Sequence, residues 1–135
     1  DRETSEIIWI LGGTMDEFNL SDEELFSRQH YAKFIDENTI LLFDNGNSNQ
    51  DTRLVQFEIN ELDKTISNFR EIDINDNWSM ATGAAQLTSD GYYIFGWGYG
   101  ATGYVLSVVD EATEEVVAEV LTDEGNYAYR ARKFE

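Results

Sequence analysis

The chain is cut into short apolar runs with a period of two, each ended by Gly, Asn or Asp, and this pattern most restricts what it can become. Ile7 to Leu11 ends at Gly12-Gly13, Thr39 to Phe43 at Asn45-Gly46, and Leu54 to Ile59 at Asn60. Ile66 to Ile72, Tyr92 to Phe95, Tyr104 to Val109 and Val116 to Leu121 follow the same rule. With His30 to Ile35, Met80 to Leu87 and Tyr127 to Phe134 added, about ten strands are predicted. The one helical signal is Ser21-Asp22-Glu23-Glu24-Leu25-Phe26, where Ser21 and Glu24 have capping-box spacing but only one or two turns fit before the next strand. An all-β chain is expected.

The strands repeat. Phe34 to Phe43 matches Leu87 to Gly96 at an offset of 53 residues, and Leu54 to Asn60 matches Tyr104 to Asp110 at an offset of 50. Each unit reads as four antiparallel strands, the period of a propeller blade. Blades are placed at 30–73 and 80–123, with flanking strands at 6–12 and 127–134. Propellers close with about four to eight blades. The expectation is therefore one all-β unit, an incomplete propeller that needs further blades or other copies of itself. A small β-sandwich is the alternative.

Composition restricts function. The 135 residues carry 27 Asp and Glu against 9 Lys and Arg, a formal charge of −18, which would repel nucleic acid and anionic membrane surfaces. No apolar run approaches the ~18 residues of a membrane-spanning helix, and the first residues do not read as a signal peptide. Cysteine is absent, which removes thiol catalysis and thiolate metal sites and leaves the compartment undetermined. An anionic substrate would need a local basic pocket. Arg28, His30, Lys33 and Arg53 are candidates, and Arg130, Arg132 and Lys133 form a second basic cluster.

The chain's only histidine lies in Phe26-Ser27-Arg28-Gln29-His30, ahead of a tight turn at Asp36-Glu37-Asn38, then Leu42-Phe43-Asp44-Asn45-Gly46 and Arg53. This order resembles the arylsulfotransferase family. The likeness extends from Trp9-Ile10-Leu11-Gly12-Gly13 to Tyr129-Arg130-Ala131. It implies a propeller, commonly extracytoplasmic, that moves a sulfuryl group from a phenolic sulfate ester to a phenol acceptor. His30 would be the nucleophile and Arg53 a clamp on the sulfuryl oxygens. Arg28, Asn45 and Trp97 are candidate substrate contacts.

Other readings of these residues stand beside that one. His30 would otherwise be hydrogen-bonded within a polar strand, and Arg53 ion-paired with Asp44 or Asp51. Strand alternation puts Arg28, His30 and Ala32 on one face and Gln29, Tyr31 and Lys33 on the other. The chain departs from the family pattern at Tyr31, where an aspartate is usual. The mechanism also calls for further histidines, and Gln86 stands roughly where the second would be. The chain alone is expected to be incomplete for turnover, which favours a non-catalytic binding module as the alternative.

Two weaker signals remain. Asp73, Asn75 and Asn77 offer oxygen ligands at alternate positions, the start of a calcium loop that lacks its glycine and its final carboxylate. No other cofactor is implied. Gly96-Trp97-Gly98-Tyr99-Gly100 sets aromatic rings among glycines, suited to stacking on a phenolic ring or to packing at a blade edge.

Overall fold

The structure is a computed structural model that describes residues 1–74, 77–101, 103–123 and 128–134. It is all-β. Strands β1 (His30–Phe34), β2 (Thr39–Asp44), β3 (Arg53–Asn60) and β4 (Thr65–Asp73) form one antiparallel sheet in chain order. Strands β5 (Ala84–Leu87), β6 (Tyr92–Gly96), β7 (Tyr104–Asp110) and β8 (Val116–Leu121) form a second of the same order. Two such meanders fit propeller-like blades and also a small sandwich.

The period of two explains the packing. Leu41 and Phe43 of β2 point to the face shared with the second sheet, where they join Leu54, Ile72, Tyr93, Phe95, Trp97 and Val109. Ile40 and Leu42 point the other way, to Val55, Phe57, Ile59 and Phe18. Strand β2 is thus buried on both faces, as its unbroken Ile-Leu-Leu-Phe run requires. The sheets approach closely where Gly83 meets the Phe43 ring. A Cβ on Gly83 would lie 2.4 Å from that ring, and its φ of +112° is one that only glycine adopts without strain.

The flanking segments differ from expectation. Residues 6–12 form no strand, because carboxylates take the amides that a ladder would use. Ile10 N–H donates to Glu17 Oε2 (2.7 Å) and Gly12 N–H to Asp16 Oδ1 (2.8 Å). The segment instead lays Trp9 and Leu11 over the outer face of the first sheet, where Leu20 and Phe26 join them. A 3₁₀ turn at Gly13–Met15 follows. At 21–26 the capping-box contact forms, Ser21 N–H donating to Glu24 Oε2 (2.7 Å), but it closes a single turn and no helix. Tyr127 lies outside the described residues, and 128–134 also form no strand. There the side chain of Gln86 replaces a partner strand, accepting from Lys133 N–H and donating to Lys133 C=O, both at 3.0 Å.

Among the described residues no helix is long and apolar enough to cross a membrane. The outer face of the second sheet carries a groove of about 400 Å³, lined by Tyr92, Ile94, Leu106, Val108 and Val117 and by the charged Asp90, Arg132 and Lys133.

Candidate functional site

His30 opens β1 at the edge of the first sheet, opposite Phe43. The register slips between His30 and Lys33, and both Arg28 and Tyr31 have positive φ, 58° and 53°. This bulge breaks the expected alternation. Tyr31 packs against the core between the sheets, while Gln29, Ala32 and Lys33 line a groove with Trp9 and Phe34 on the opposite side. His30 also turns toward the second sheet, through Asn45. Consecutive residues His30 and Tyr31 therefore serve the same side, and Ala32 does not share it.

Asn45 is fully buried, and its contacts fix the histidine. Its Nδ2 donates to the carbonyls of Ser79 (2.7 Å) and Thr82 (2.9 Å), which leaves Oδ1 facing His30 Nδ1 at 2.7 Å. The other atom near Nδ1 is the Arg28 carbonyl oxygen, at 3.0 Å. Two acceptors at Nδ1 assign the proton there. In the neutral ring Nε2 then carries the free lone pair, and among the described residues it has no hydrogen-bond partner. Asn45 thus positions His30 and is too enclosed to touch a substrate.

Arg53 begins β3 beside Asp44, and each nitrogen of its guanidinium has a partner. Nε donates to Asp44 Oδ2 (3.2 Å), one terminal nitrogen to Glu71, and the other to the Leu25 carbonyl (2.6 Å). Asp44, 3% exposed, also accepts the amides of Ser27 (2.9 Å) and Gly46 (3.0 Å) on Oδ1. Three of its five N–H donors are so used, and they hold the group against Asp44, Glu71 and the Leu25 carbonyl. The ion-pair reading with Asp44 is the one the geometry takes, with Glu71 in place of Asp51. Arg53 ties the start of the histidine segment to the loop after β2.

Trp97 is buried to 0% exposure between Phe43, Phe95 and Tyr104, and its Nε1–H donates to Ser107 Oγ (2.8 Å). It is a core residue with no face for a ligand. Arg28 is exposed and has no carboxylate partner among the described residues. Gln86 is committed to Lys133 and stands in for no second imidazole. Of the calcium candidates, Asn75 lies outside the described residues, as does Asp76 between them.

Two arginines that the motif did not mark reach this site. The Arg130 and Arg132 guanidinium carbons stand 5.0 and 4.8 Å from the Tyr31 ring centre. Their clustering in the sequence pointed to both, and the Tyr129-Arg130-Ala131 likeness to Arg130.

The chain is all-β, two four-stranded antiparallel sheets, with its sole imidazole at a sheet edge, held at Nδ1 by Asn45. The arylsulfotransferase family model matches residues 2–120, and the chain is a member of that family. No curated protein and no solved structure matches it significantly.

Proposed function

We propose that this chain serves sulfuryl transfer from a phenolic sulfate ester to a phenol, with His30 as the nucleophile. The observation that carries this is the Asn45–His30 contact, which leaves Nε2 as the free lone pair. Nε2 attacks sulfur, the S–O bond to the aryl group breaks, and the electron pair leaves with the phenolate. The phenol acceptor, losing its proton to solvent, then attacks sulfur and the S–N bond breaks. The reaction so written needs no cofactor.

Among the described residues no second imidazole and no acid stands ready to protonate the leaving phenolate. Esters of acidic phenols, which leave without that help, are the expected donors. The test is transfer from 4-nitrophenyl sulfate to phenol, followed by nitrophenolate release. His30→Ala should abolish it; undiminished transfer would overturn the role.

A non-catalytic binding module is the second reading, favoured by the commitment of Gln86 to Lys133. Under it the wild-type chain binds aryl sulfates without turning them over. Either reading allows the incomplete propeller to be completed by further blades or a second copy. Light scattering at several concentrations should then show a particle of at least twice the chain mass; a monomer throughout would remove self-association.

A further inference from the structure

Two cations gather on one ring at Tyr31. Lys64 pairs with Glu17, Arg70 with Glu111 and Glu114, Lys133 with Asp90, and Arg53 with Asp44 and Glu71. Arg2, Arg28 and Lys33 make no such pair among the described residues. Arg130 and Arg132 have no carboxylate partner among the described residues, yet both stand against the same ring. One guanidinium is enough to cover a tyrosine face; a second adds like-charge repulsion that no carboxylate among the described residues offsets.

Both arginines are held in place by the segment that carries them. Ala131, between them, lies on Gly96 so tightly that a Cβ there would come within 2.6 Å of the Ala131 nitrogen. Lys133 is clamped through its backbone to Gln86 and through Nζ to Asp90 (2.6 Å). A depression of about 510 Å³ opens beside them, lined by Leu106, Ala131 and Phe134 as well as the two arginines. Apolar walls with two guanidiniums that have no carboxylate partner among the described residues match an aromatic ring bearing an oxyanion.

We propose that Arg130 and Arg132, seated on Tyr31, form the site that takes an aryl sulfate ester, its sulfate on the guanidiniums and its ring against Leu106 and Phe134. This rests on the sulfuryl-transfer reading above and gives the anion clamp to the C-terminal segment in place of Arg53. Tyr31 follows His30 directly, so the site adjoins the nucleophile's strand.

The experiment is calorimetric titration of the whole chain with 4-nitrophenyl sulfate, and separately with inorganic sulfate, alongside the turnover assay. Wild-type binding should weaken as salt is raised. Arg130→Gln with Arg132→Gln should weaken it by about tenfold or more, while His30→Ala leaves it within about twofold. Unchanged affinity in the folded double variant overturns the site, as does no binding by the wild type. Equal affinity for inorganic sulfate overturns its assignment to aryl esters. Arginine-dependent binding without turnover in any form sinks the transfer reading and keeps the site. Full turnover and affinity in the double variant, with none in His30→Ala, does the reverse. Both arginines are exposed, so the cores should survive; if the double variant loses its near-ultraviolet circular dichroism, Arg132→Gln alone carries the test.

Discussion

Asn45 Oδ1 lies 2.7 Å from His30 Nδ1, and the Asn45 amide can face no other way because its nitrogen is bound to the Ser79 and Thr82 carbonyls. One buried side chain thus couples the first sheet, the approach to the second, and the protonation site of the only imidazole.

Asn45→Ala should free the ring to rotate and change tautomer. If His30 is the nucleophile, kcat should fall by about 100-fold with KM little changed, since a mis-set reacting atom costs about that much. The Ser79 and Thr82 carbonyls lose a buried donor, so stability should also drop by about 1–3 kcal/mol. Steady-state kinetics with a denaturant titration separates the two effects. A rise in KM alone would mean that Asn45 touches substrate.

Arg53→Gln distinguishes a clamp from a brace. As a brace, its loss leaves Asp44 buried without its counter-charge and should cost about 3 kcal/mol. The affinity for an aryl sulfate, measured well below the melting temperature, should stay unchanged. Weakened binding in a chain of wild-type stability would restore the clamp.

Much of the fold was legible because it depends on local pattern. Period two and turn residues place β2, β3, β6 and β7 within a residue or so, and the offset of 53 residues carries Thr39 onto Tyr92, the first residues of β2 and β6. The flanks were not legible, because side chains there replace strand partners: Asp16 and Glu17 for residues 10–12, Gln86 for Lys133. Nor was the side chosen by Tyr31, since a bulge with positive φ overrides alternation and no residue type announces it. The motif marked Arg53 by position, and the aromatic run among glycines marked Trp97. Burial and existing partners, which sequence does not display, commit one to Asp44 and the other to the core.

Trp97→Ala should therefore act on stability, at a cost of about 3–5 kcal/mol for a large ring removed from a packed core. Trp97→Phe keeps most of that packing and loses only the bond to Ser107, whose hydroxyl also lies 3.3 Å from Glu119 Oε1. Thermal melts of the two variants should differ by several degrees. Equal stability, with weakened aryl sulfate binding in both, would return Trp97 to the substrate site.

Acid should unfold the chain through its turn aspartates. Burial works to raise the Asp16 pKa, but amide bonds from Gly12, Leu20 and Phe18 outweigh it and hold the carboxyl below 3.8. Asp36 is lowered mainly by the Asn38 amide, and Asp110 by the amide of Thr113. Each folded value lies below its unfolded one, so these groups contribute their full stability above the unfolded pKa. That contribution is lost as pH falls through the folded values, when the unfolded chain takes up protons first. Denaturant midpoints should hold steady from pH 7 to about 5 and decline below about 4. Asp16→Asn, which keeps the shape without the charge, should flatten part of that decline and lower the midpoint at pH 7. A decline of the same depth in Asp16→Asn would show that Asp16 has no share in it.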